Sequence, residues 1–194
     1  MLTDMTLEEL WKLFPIILEE YNPEYPLWYE TEKENLLEIM SACDGCNISR
    51  VSHIGSTAVK GLLSKPTVDI LLELPSDYEL NIVSDLLMKN NWLVMARNDE
   101  EKTIDLNKGY APSGFDVKVF HLHIKPHADW GELYFRDYLQ NHPDIAKQYE
   151  NLKFNLENQF QHNRDAYTEG KTEFVTKYTE KARIEFPGRY IPIA

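Results

Sequence analysis

An aspartate stands third in an otherwise apolar run, TVDILLEL at residues 67 to 74, and this carboxylate is the hardest residue in the chain to accommodate. A carboxylate in an apolar strand is costly unless it meets a cation or hydrogen-bond donors. Upstream, ISRVSHIGS is short and β-branched and ends at Gly55-Ser56, and the turn-like GSTAVKGLLSKP leads on into the run. The segment therefore reads as strand, turn and strand, with strands at about 48 to 54 and 67 to 74. Gly55 has no side chain, which lets backbone N–H groups approach an anion, and the hydroxyls of Ser56 and Thr57 add donors. The turn is a candidate phosphate cradle and Asp69 wants a partner. The plainer account of Asp69 is a carboxylate capping a backbone turn or pairing with Lys65, since structural ion pairs also explain buried acids.

Around this segment the hydrophobic period changes from helix to strand and back. Leu7, Leu10, Trp11, Phe14, Ile17 and Leu18 recur at helical spacing across Thr3 to Glu20, behind a cap at Thr6 and with an interruption at Pro15. After YNPEYP a second helix is predicted from Trp28 through Met40. Ser76 to Asn90 has the cap and spacing of a helix, Trp92 to Ala96 and Thr103 to Tyr110 read as strands, and PSG at 112 to 114 turns into the strand FDVKVFHLHIK. From Asp129 onward the texture is helical, with Pro143 suited to a first turn. The expected fold class is α/β, a sheet with helices packed on it. Residues 1–194 are read as a single domain: a helical lead-in over 1–45, a sheet core over 48–125 and a helical C-terminal tail over 129–186 packed on it.

Composition narrows the partners. The formal charge of −12 opposes the phosphate backbone of a long nucleic acid, while leaving room for a local basic pocket for one nucleotide. No apolar run approaches the roughly 20 residues that span a bilayer, and the acidic start lacks the basic region of a secretory signal, so no membrane partner and a cytoplasmic location are expected. Cys43 and Cys46 are the two cysteines, too few for a disulfide scaffold. They lie after a helix and before a strand, not at a helix start, and read as two loop thiols without a role.

The words HIGSTAV at 53 to 59, Gly61-Leu62, Lys65-Pro66 and Val68-Asp69-Ile70 resemble the signature of the GrpB branch, also labelled UPF0157, of the nucleotidyltransferase superfamily. Further similar words are HLH at 121 to 123, FRDYL at 135 to 139, His142-Pro143, and Ala146, Tyr149, Leu152 and Lys153. The resemblance runs from about Tyr21 into the last helix. It implies a nucleotidyltransferase-like fold, with Gly55, Ser56, Thr57 and Lys65 at the phosphates of a nucleoside triphosphate, Asp69 as the catalytic carboxylate on Mg²⁺, and a nucleotidyl group passed to an unknown small-molecule or protein acceptor.

One departure matters. The resemblance implies a second acid two residues after the first, and that position is Leu71. Glu73 cannot replace it, because four residues along a strand separate its Cα from that of Asp69 by roughly 13 Å. The rival reading is thus a nucleotide-binding or regulatory module that lacks the chemistry. His121 and His123, two apart on one strand, share a face with Cα atoms roughly 6.6 Å apart and are candidate metal ligands beside Asp69. A hydrolase holding a transition metal through these three is a third reading. His53 precedes the turn and is a further candidate beside them, while Asp116 falls on the opposite face unless a bulge intervenes. Arg136 is read either as a bidentate phosphate clamp or as the partner of a surface carboxylate.

Overall fold

A computed structural model describes residues 5–43 and 46–192. Five strands form one mixed sheet: β1 (Arg50–Ile54), β2 (Thr67–Leu74), β3 (Leu93–Asn98), β4 (Thr103–Ala111) and β5 (Gly114–Pro126), in the order β1-β2-β5-β4-β3. β2 and β5 run parallel at the centre, and every other pairing is antiparallel. The helices are α1 (Leu7–Leu13), α2 (Tyr25–Ser41), α3 (Leu80–Met88), α4 (Gly131–Asn141), α5 (Pro143–Phe160) and α6 (Arg164–Glu185). The strands and flanking helices are those the hydrophobic periods predict, and the mixed sheet is what the nucleotidyltransferase resemblance implies.

The alternation of β2 sorts its residues between two layers. Val68, Ile70, Leu72 and Leu74 face α2 and α3, where they join Tyr25, Trp28, Leu36, Met40, Val83, Leu87 and the fully buried Trp92 in the main core. Asp69, Leu71 and Glu73 point the other way, toward the C-terminal helices. Leu71 is buried there against Ile54 and against Leu133 of α4. In β5 the same alternation puts Phe120, Leu122 and Ile124 in the main core and leaves His121 and His123 on the face of Asp69.

Two local expectations need correction. The first helix is shorter than Thr3 to Glu20: Thr6 caps it through a reciprocal bond with Glu9, and it stops at Leu13, because Pro15 cannot donate to the helix and the chain runs on extended to pair Glu19 with Ser64. Thr3 lies outside the described residues. Cys43 and Cys46 are not thiols but are disulfide-bonded to each other across the loop that leaves α2. The neighbouring Asp44-Gly45 lies outside the described residues.

Glu73 on β2 has no solvent exposure and is structural. Arg50 grips both of its oxygens, one through Nη2 at 2.8 Å, and His127 Nδ1 and the backbone N–H of Ala128 each lie 3.2 Å from Oε1. This network fastens the edge strand β1 and the segment after β5 to the sheet centre. Removing one side of a buried pair leaves the other charge uncompensated, so Glu73→Ala is expected to cost about 3–5 kcal/mol. Urea unfolding of the variant would measure it.

Candidate functional site

The site begins with Gly55. Its φ of +69° lies in the left-handed region, and a Cβ there would sit 2.2 Å from Oδ2 of Asp69. Only glycine allows the turn to close on the carboxylate, which the sheet register places beside Ile54. A short 3₁₀ turn follows at Ser56–Ala58.

Asp69 is held from β5. Arg164 Nη2 donates to Tyr110 Oη at 3.0 Å, Tyr110 Oη lies 2.8 Å from His121 Nε2, and His121 Nδ1 lies 3.1 Å from Asp69 Oδ1. One proton arrangement satisfies the chain: Tyr110 donates to Nε2, and His121 carries its proton on Nδ1 toward the carboxylate. Burial lowers the pKa of His121 and opposes its ionisation, whereas His123 is raised to about 9. Burial works against that rise too, but Asp105 Oδ1 at 2.7 Å and Asp69 at 4.0 Å outweigh it. Burial alone would raise Asp69; the two histidines more than offset it and hold its carboxyl well below the usual range.

These groups line a cleft of about 1100 Å³ between the sheet face and α6. Gly55, Ser56, Lys65, Asp69, His121 and His123 all line it. So do four groups that the sequence reading missed: Asp105 on β4, Lys153 on α5, and Arg164 and Lys171 on α6. Lys153 had a legible signal. It shares the face of α5 that buries Ala146, Tyr149 and Leu156, and a lysine on an apolar helical face needs a reason. Gly170 offered a weaker one, since a Cβ there would lie 2.4 Å from Leu156 and glycine lets α6 approach α5. Asp105, Arg164 and Lys171 carry no local mark.

Four expected residues stand elsewhere. Thr57 is buried, and its hydroxyl donates to the Thr67 carbonyl at 3.1 Å, tying the turn to β2 and leaving nothing for a phosphate. His53 stacks on Tyr29 with ring centroids 4.8 Å apart and meets Thr57 Oγ1 at 3.0 Å; burial lowers it to about 4 and keeps it neutral. Arg136 is spent on Asp137, the His53 carbonyl and Tyr190, because Asp137 is buried beside it and demands those donors. Asp116 is exposed and belongs to the opposite side of the sheet, near Trp28 and Lys118.

The donor set lacks the paired carboxylates that the resemblance implies for a resident Mg²⁺. That ion wants octahedral oxygen ligands, usually one or two carboxylates. Asp69 supplies one; Asp105 in the same lining is taken up by His123 at 2.7 Å, and the position where the resemblance implies a second acid is Leu71, sealed under Leu133. His123 Nδ1 is taken up by Asp105 Oδ1 at 2.7 Å, and its Nε2 stands 4.0 Å from Asp69. Among the described residues no three His, Cys, Asp or Glu side chains are grouped to hold a metal ion.

The sequence model of one family, described as GrpB protein, matches residues 15–181. The chain belongs to the GrpB family. It is 33% identical over 162 residues to a UPF0157 protein of Pseudomonas aeruginosa, a match covering 83% of this chain and 65% of that one. To the UPF0157 protein YqkA of Bacillus subtilis it is 28% identical over 172 residues, covering 87% of this chain and 48% of the relative. The chain thus spans from about half to just under two thirds of the length of these relatives. Among solved structures, the conserved protein GrpB from Enterococcus faecalis superposes with a TM-score of 0.73 at 28% identity, covering 88% of this chain and 99% of that one. Among the described residues of this GrpB-family chain, no helix is long and apolar enough to cross a membrane.

The raised pKa of His123 has a measurable sign. Stability from its pairing is present below about 6.5 and is lost as pH rises through about 9. In an NMR titration His123 should change its ring shifts near pH 9 and His53 near pH 4. Asp69→Asn should move the His123 midpoint downward, because an attracting charge is gone.

Proposed function

We propose that this chain binds a phosphorylated small molecule, foremost a nucleoside triphosphate, in the cleft between the sheet and α6, without a resident Mg²⁺. The observation that supports it is the gathering of Lys65, Lys171 and Arg164 in the lining around the Gly55-Ser56 turn. Among the described residues none of these three cations has a carboxylate within ion-pair distance. Burial, followed by repulsion from Arg164 and Lys171, lowers Lys65 to about 7, and Lys171 is lowered by burial as well. Cations held this way lack an anion, and a polyphosphate supplies charge enough for all three. In a chain of net charge −12 these three cations are a local exception, within a lining that also holds Asp69 and Asp105. Tyr167, Phe135 and Val175 give it an apolar wall that can take a base.

A second reading, transfer of the nucleotidyl group to a small-molecule or protein acceptor, is what the GrpB resemblance implies, and the ionised Asp69 in the lining is the observation in its favour. The signature of that reading is metal-dependent binding abolished by Asp69→Asn.

Calorimetric titration with ATP, GTP, CTP and UTP, with Mg²⁺ or with a chelator, separates the two. One nucleotide is expected to bind in both conditions, with affinity weakened about tenfold, or about 1.4 kcal/mol, in Arg164→Ala. Because the bound anion raises the lysines, binding at pH 8 should take up protons and weaken as pH rises through about 7. Absence of binding by all four nucleotides would sink the proposal.

A further inference from the structure

We propose that Ser56 is a nucleophile with Lys153 as its base, and that the cleft transfers the nucleotidyl group of a bound nucleoside triphosphate onto the Ser56 hydroxyl of its own chain. This rests on the nucleotide reading and names an acceptor for it.

The geometry is local and specific. Lys153 rises from the buried face of α5, is 3% exposed, and places Nζ 3.1 Å from Ser56 Oγ while also bonding the Leu63 carbonyl. Its ammonium end lies 4.9 Å from the centroid of the Tyr149 ring. Among the described residues no carboxylate comes within ion-pair distance of it: Glu150, one turn earlier, is engaged by Lys147 and by the Leu63 backbone N–H. A buried lysine with no counter-ion sheds its proton readily. Ser56 is half-buried and borders the cleft.

Charged groups face Lys153 from each element around it. Lys171 on α6 and Lys65 before β2 oppose its proton, Glu150 on α5 and Asp69 on β2 favour it, and burial, the largest effect, brings it down to about 7. Near neutral pH a large share of the side chain is therefore the free amine. That amine donates one N–H to Leu63 O and presents its lone pair to the Ser56 O–H, the pairing by which a serine is activated by an adjacent base.

The step balances with groups on the page and one named co-reactant. Ser56 Oγ attacks the α-phosphorus of the nucleoside triphosphate, forming the Oγ–P bond. The bond from that phosphorus to the oxygen bridging it to the β-phosphate breaks, pyrophosphate leaves with the electron pair, and the serine proton passes to Lys153 Nζ. Lys65, Lys171 and Arg164 stand where the departing negative charge needs neutralising.

The test uses two reagents on the intact chain. A fluorophosphonate, which needs no nucleotide site, is expected to label Ser56 at a rate rising about tenfold between pH 6 and pH 8, following the free amine of Lys153. Labelling is expected to be lost in Lys153→Arg, which keeps a cation and donors but offers no base. The wild-type pH profile stands on its own if that variant does not fold. Incubation with the nucleotide that binds should add one nucleoside monophosphate to Ser56, read by peptide mass spectrometry and absent in Ser56→Ala. A Lys153 that only clamps the turn would leave Ser56 unlabelled, or labelled equally in Lys153→Arg, and either result overturns the pair. Nucleotide binding without an adduct overturns the self-transfer alone. Absence of nucleotide binding overturns the nucleotide reading and the transfer with it, and the fluorophosphonate result still judges the Ser56 and Lys153 pair.

Discussion

The contact between Gly55 and the carboxylate of Asp69 is the constraint on which the rest of the site depends. A backbone closing to within one missing methyl group of a half-buried acid fixes where β1 must end and how the 3₁₀ turn leaves it. The sheet supplies the other half by setting Asp69 opposite His121 and Asp105 opposite His123, so acid and imidazole alternate across three strands. His123 then lies between Asp69 and Asp105, and His121 between Asp69 and Tyr110.

The opposite wall has another character. α5 and α6 bring lysines and an arginine toward a cleft whose floor holds the acids, and these cations are kept short of partners by burial and by each other. Charge separation of this kind costs stability in the empty protein, a common property of sites prepared for a ligand. The fold withstands it because the other side of the sheet is dry: Leu36, Val68, Ile70, Leu72, Leu87 and Leu122 have no exposed surface at all.

How much of this is readable before folding follows from periodicity. Alternation along β2 and β5 assigns Asp69, His121 and His123 to one face, and a glycine before a serine at a strand end marks the turn, so the acid-imidazole row is mostly legible. Thr57, His53 and Arg136 mislead for a shared physical reason. Thr57 and His53 sit beside the turn in sequence and Arg136 follows β5 on α4, but Thr57 is claimed by Thr67, His53 by Thr57 and the Tyr29 ring, and Arg136 by Asp137, claims that exist only once the layers have packed. Arg164 and Lys171 are illegible for the converse reason: nothing in α6 records which sheet face it will cover. Lys153 lies between these cases, its apolar helical face announcing burial without naming Ser56.

The burial of Leu71 under Leu133 bears on how sites of this shape can interconvert. A carboxylate introduced at position 71 alone would give up the packing against Ile54 and Leu133 and enter a layer whose neighbours in register are Ser52 and a His123 already held by Asp105, at a cost of several kcal/mol. Room and hydration would first have to be made by shrinking or moving the α4 side chain above it, a change with no benefit until the acid arrives. A one-acid and a two-acid version of this cleft are thus separated by a valley of unstable single mutants, and each form is locked in by the packing of a leucine that touches no ligand.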